Sequence, residues 1–141
     1  MKTLELHYPV EGGDMLEAGE ASSRMKLLLK KMGMPQDVVR RASICMYEGE
    51  INMVLHAGGG EAVVEVDSNR ILIRMEDHGP GIPDVELAMQ EGYSTADQAA
   101  REMGFGAGMG LPNIKRYADE LEIKTEPGVG TTVTVQIHVP G

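Results

Sequence analysis

At 141 residues the chain has room for one domain with a ligand pocket, and the sequence predicts a single domain over 1–141 with no second catalytic unit. Its 13 Lys and Arg against 22 Asp and Glu leave a net charge of −9, which argues against a nucleic-acid backbone or an anionic membrane as partner; bound phosphates would need a metal cation or backbone N–H groups. A lone cysteine, Cys45, excludes an intrachain disulfide, and with no apolar signal segment or bilayer-length run the expected compartment is the reducing cytoplasm.

Residues 2–10 alternate, with Leu4, Leu6 and Tyr8 on one face, and predict an edge strand ending at Pro9. From about Glu17 to Met32 the residues Met25, Leu28, Leu29 and Met32 recur at helical spacing, and Gly33 supplies a stop. Pro35 opens a second helix to about Ala57, with Val38, Ile44, Tyr47, Ile51, Val54 and Leu55 as its apolar stripe and Gly58–Gly60 as terminator. Residues 61–67 and 70–76 are rich in Val and Ile and read as a hairpin turning at Ser68-Asn69. Residues 82–103 lack periodicity and predict a long loop. A third helix over about Met109–Leu121 must hold Pro112 in its first turn, because proline has no N–H to donate further in. Strands at 122–126 and 131–139 close the chain around Pro127–Gly130. The order β-α-α-β-β-loop-α-β-β does not alternate, so a parallel Rossmann sheet is disfavoured. A two-layer α/β sandwich, with a mixed but mainly antiparallel sheet and helices on one face, is the expected class.

Four stretches carry candidate chemistry. Glu48, Asn52 and His56 are spaced by four on one face of the second helix, at the edge of its apolar stripe. Asn52 offers a neutral oxygen to Mg²⁺, and Glu48 can accept a proton from a hydroxyl or water, although for the spacing alone an ordinary solvated helix face is the favoured reading. Asp77 ends a buried strand before Gly79-Pro80-Gly81, where a fixed carboxylate can accept a hydrogen bond from the exocyclic amine of adenine; an ordinary turn is the plain alternative. Gly104, Gly106, Gly108 and Gly110 lead into a helix and can aim backbone N–H groups at phosphate, or act as a hinge. Thr131, after Gly130, can support Asp77 or a water through its hydroxyl, or be a β-branched strand residue.

In the order Glu-x₃-Asn, Asp-x-Gly-x-Gly, Gly-x-Gly-x-Gly-x-Gly and Gly-Thr, these stretches resemble the boxes of the GHKL, or Bergerat-fold, ATPases over about Leu4–Val139. The resemblance implies ATP and Mg²⁺ as ligands, with Glu48 the catalytic base, Asn52 the metal ligand and Asp77 the adenine reader. It implies a nucleotide cradle made by Gly79, Gly81 and Ile82 and by Gly104, Gly106, Ala107, Gly108, Met109, Gly110 and Leu111, with Thr131 on the adenine side. Residues 76–84, 92–95 and 108–116 look most like the small stand-alone serine/threonine kinases that regulate sigma factors or act as stressosome switches. Such a kinase phosphorylates a STAS-domain anti-sigma-factor antagonist, and the first strand and helix would serve dimerisation or partner docking. A regulatory binder that holds ATP as a structural ligand and sequesters a sigma factor is the alternative. Gly49, Glu50 and Met53 depart from the family's usual residues around the Asn52 position, and 96–103 lengthen the lid.

Overall fold

The computed structural model describes residues 3–11, 19–56, 58–79, 110–126 and 128–140. Among them the order is β1 (Leu4–Glu11), α1 (Glu20–Lys31), α2 (Gln36–His56), β2 (Gly59–Val66), β3 (Arg70–Asp77), α3 (Gly110–Tyr117), β4 (Glu120–Glu126) and β5 (Gly130–His138). The expected loop at 82–103 lies outside these residues. The five strands form one sheet in the order β1-β2-β3-β5-β4, and each neighbouring pair is antiparallel. The sandwich is therefore as expected, while the described sheet is wholly antiparallel rather than mixed.

Strand periodicity decides which face is covered. Ala62, Val64 and Val66, then Ile71, Ile73 and Met75, then Val133, Val135 and Ile137 point one way and join Met25 and Leu29 of α1, Val38, Ala42, Cys45 and Met46 of α2 and Ile114 of α3 in one core. The opposite face carries Glu5, His7 and Glu61, in which both ring nitrogens of His7 lie within hydrogen-bond distance of carboxylates, and the Arg74–Glu76 pair. β1 is an edge strand as predicted, but it continues through Pro9 to Glu11; at an edge the missing N–H of proline costs no ladder bond. The β2–β3 turn is held by Asp67, whose Oδ1 accepts the N–H groups of Asn69 at 2.7 Å and Arg70 at 2.9 Å.

Two boundaries differ from expectation. α3 stops at Tyr117 and Leu121 belongs to β4, because the Asp119 N–H is spent on the Gln136 carbonyl at 2.9 Å and its carboxylate accepts the His138 N–H at 2.7 Å. On α2, Tyr47 is exposed, whereas Val39, Ala42 and Met46 are buried. The helix is enclosed by α1, α3 and the sheet, so more than one stripe faces inward. Gly49 permits this enclosure: a Cβ there would lie 2.1 Å from the Met75 sulfur of β3.

Glu50, a departure in the sequence, is 3% exposed and faces α1. α1 begins at Gly19, which has φ 98° and no capping side chain. Glu50 supplies the cap from a distance: Oε2 accepts the N–H groups of Gly19 at 3.0 Å and Ala21 at 3.1 Å, and Oε1 accepts that of Ser22 at 3.1 Å. A carboxylate there satisfies orphan donors and matches the positive end of the helix.

Candidate nucleotide site

The face of α2 that carries the candidate base is set by its contacts with α3. Arg41 Nε donates to the Tyr117 carbonyl at 3.0 Å, and its guanidinium pairs with Asp119 at 2.9 Å. One turn on, the Cys45 thiol donates to the Ile114 carbonyl at 3.7 Å, and at the next step Asn113 Nδ2 donates to Glu48 Oε1 at 3.4 Å. Positions 41, 45 and 48 share a helix face, and the same face continues to Asn52. Along α3 the partners run 117, 114, 113, back toward Gly110, where the glycine-rich stretch ends. Asn52 is half-buried, and its amide has no hydrogen-bond partner among the described residues. The side chain of His56 lies outside them.

Burial raises the Glu48 carboxyl above the ordinary glutamate range, and the hydrogen bond from Asn113 opposes that shift. A carboxylate whose pKa is raised in this way is a better proton acceptor than a free one. The neighbouring Cys45 is a different case: burial pushes its thiol up to about 12, so it is an inert core group.

Asp77 sits where β3, α2 and β5 meet. α2 lies over this end of the sheet: a Cβ on Gly60, the cross-strand partner of Asp77, would come within 3.0 Å of the Met53 sulfur, and Met53 adjoins Asn52. Asp77 Oδ1 accepts the N–H groups of Gly79 at 3.0 Å and Thr131 at 3.1 Å. Those two bonds fix the carboxylate and leave Oδ2 with no partner among the described residues. Gly130 makes the arrangement possible, since a Cβ there would lie 2.1 Å from the Asp77 carbonyl oxygen. The expected support from the Thr131 hydroxyl is replaced by its backbone N–H; the hydroxyl lies 3.0 Å from Thr125 Oγ1 across the β4–β5 pair.

The structure thus brings Glu48, Asn52, Asp77, Gly79 and Thr131 to one end of the sheet and the adjoining face of α2. Gly110 opens α3, and Leu111, expected in the cradle, is 7% exposed and packs in the core. Gly81, Ile82, Gly104, Gly106, Ala107, Gly108 and Met109 lie outside the described residues. Sequence reasoning did not single out Asn113; it marked Glu50 only as a departure from the family's usual residues and Gly130 only as the glycine before a strand threonine.

This donor set suits an adenine nucleotide: a fixed carboxylate oxygen for an amine at one end, and a carboxylate and a neutral amide oxygen at the other. The sequence profile described as histidine kinase-, DNA gyrase B-, and HSP90-like ATPase matches residues 38–141. The chain belongs to this ATPase family. Within it, the chain is 33% identical over 108 residues to the serine/threonine-protein kinase RsbT of Bacillus subtilis, covering 74% of this chain and 75% of RsbT. It is 32% identical over 105 residues to the anti-sigma F factor of Halalkalibacterium halodurans, covering 73% of this chain and 64% of that one. To the anti-sigma F factor of a Thermoanaerobacter species it is 36% identical over 74 residues, covering 52% of this chain and 48% of that factor, so it spans about half of some relatives. The fold recurs within part of a Mycobacterium tuberculosis structure that comprises RsbU and RsbW domains, with a TM-score of 0.62 at 15% identity over 96% of this chain and 32% of the other. No helix among the described residues is long and apolar enough to cross a membrane.

Proposed function

We propose that the protein is an ATP-dependent serine/threonine protein kinase that regulates a sigma-factor or stress-response pathway by phosphorylating a STAS-domain anti-sigma-factor antagonist in the cytoplasm. The observation that carries this reading is the pairing of a half-buried Glu48, held by Asn113, with a fixed Asp77 carboxylate across the same end of the sheet. The similarity to RsbT, whose name states that activity, supports it.

Asp77 reads the adenine amine through Oδ2, with Gly79 and Thr131 holding Oδ1. Asn52 is the metal ligand, and bound Mg²⁺ would neutralise phosphate charge and help position the transferring group. Glu48 accepts the proton of the incoming Ser or Thr hydroxyl as that oxygen bonds to the γ-phosphorus and the bond to the ADP oxygen breaks. The cradle completed by Gly81, Ile82 and the 104–110 glycines supplies backbone N–H groups, which offset the acidic balance of the chain. β1 and α1, which contribute nothing to this chemistry, are left for dimerisation or partner docking.

Incubation with γ-labelled Mg-ATP and STAS-domain proteins tests the reading: label should reach the partner, and Glu48→Gln should abolish transfer while ATP affinity stays within about a few-fold. Full-rate transfer by that variant would remove Glu48 as base. The similarity to proteins named anti-sigma F factor favours one other reading, an ATP-dependent binder that sequesters a partner, which would form a complex without transferring label.

A further inference from the structure

We propose that Asn113 is a positioning residue for Glu48: its side-chain amide holds one carboxylate oxygen, turns the other toward the attacking hydroxyl, and ties the base to the helix that follows the glycine-rich stretch. The inference rests on the reading of Glu48 as proton acceptor and goes beyond it by naming what orients that group.

Three observations carry it. The contact is specific, from Asn113 Nδ2 to Glu48 Oε1 at 3.4 Å across 65 positions of chain, and Oε2 has no partner among the described residues. Asn113 also sits on a helix that cannot easily roll. Leu111 and Ile114 beside it are buried, and α3 is pinned to α2 through the Tyr117 and Ile114 carbonyls and Asp119. Finally, asparagine is a poor helix-interior residue whose amide tends to compete for nearby backbone. Here it is spent on a carboxylate one helix away.

The chemistry follows from the donor. An N–H aimed at a carboxylate favours the charged form, so Asn113 opposes the upward shift that burial imposes on Glu48. The other titratable groups beside it on α2, the Cys45 thiol and the Tyr47 phenol, both have raised pKa values, dominated by burial, and stay neutral at physiological pH. From α3 the facing group is the Asn113 amide, and no charged group of α1 or the described strands acts on Glu48. In the transfer step the hydroxyl proton moves to Oε2 while the γ-phosphoryl passes to the hydroxyl oxygen and ADP departs. A Glu48 free to rotate would present Oε2 for only part of the time.

The test uses the full chain, Mg-ATP and water as acceptor. Glu48 is titrated by carbon NMR of its labelled carboxyl, assigned by its loss in Glu48→Gln, and γ-phosphate release gives kcat and KM. Asn113→Ala should raise the Glu48 midpoint by about half a pH unit or more and lower kcat about tenfold, the size of one charged hydrogen bond, with KM for ATP within about twofold. Asn113→Asp should raise the midpoint further by placing a like charge beside it, and Asn113→Gln should recover part of the rate. A Glu48 midpoint unchanged in both Asn113→Ala and Asn113→Asp would overturn the contact. A shifted midpoint with unchanged kcat would overturn the positioning role. Parental turnover by Glu48→Gln would instead sink the base reading, and the inference with it, leaving the titration result intact as the distinguishing record.

Discussion

Replacing Glu50 by Gln tests whether α1 is capped from α2. Oε2 of Glu50 accepts two N–H groups and Oε1 accepts the third, all in a site 3% exposed. The single oxygen of Gln can keep the Gly19 and Ala21 bonds, but its NH₂ group then faces the Ser22 N–H, donor against donor. Leaving one buried donor unpaired costs about 1–3 kcal/mol. Removing the negative charge from the helix N-terminus adds about 0.3–1 kcal/mol. A total near 3 kcal/mol is expected, and at about 2.1 cal/mol/K per residue of unfolding entropy a chain of this length should lose roughly 10 °C in Tm. Glu50→Ala abandons all three donors and should lose more. Scanning calorimetry with urea unfolding followed by circular dichroism measures both variants. A Glu50→Gln melting point within about 2 °C of the parent would refute the capping argument.

Gly130→Ala should cost about 1–3 kcal/mol of stability and weaken ATP binding at least tenfold by calorimetry, because the added Cβ meets the backbone of Asp77 and His78 rather than a side chain that can turn aside. With a thiol raised to about 12 and no exposure, Cys45 should resist a thiol reagent at pH 8 in the folded protein and react at the rate of unfolding when urea is added. Glu48→Gln should be as stable as the parent or more so at pH 7.5. The folded-state pKa of Glu48 is raised above its unfolded value, so the folded protein holds this proton more tightly and the group costs stability as pH climbs through that range; the advantage of Gln should vanish on acidification below the ordinary glutamate value. Urea midpoints at the two pH values measure it.

Much of this molecule was legible from period and punctuation. The Val- and Ile-rich stretches at 61–67 and 70–76 marked the β2–β3 hairpin and its turn, and the glycines and proline after Asp77 marked the corner that its carboxylate occupies. What stayed hidden depends on partners distant in the chain. Glu50 looks like an intrusion into an apolar helix until the α1 N-terminus, about 30 residues earlier, is seen to need an acceptor. Asn113 looks like a surface helix residue until α3 is laid along the 41-45-48 face of α2. Tyr47 was misplaced because a single stripe was assumed for a helix packed on three sides. The glycine-rich cradle was legible only as a motif, since its residues up to Met109 lie outside those described.

The claim at the centre of this account is that Asp77 and the facing end of α2 form one adenine-nucleotide site. Calorimetric titration of the parent and Asp77→Asn with Mg-ATP and Mg-GTP tests it most directly. The parent should bind ATP and reject GTP, whose O6 cannot donate to Asp77 Oδ2, and Asp77→Asn should lose most of its ATP affinity. Equal binding of both nucleotides by the parent, or ATP affinity untouched in Asp77→Asn, would contradict it.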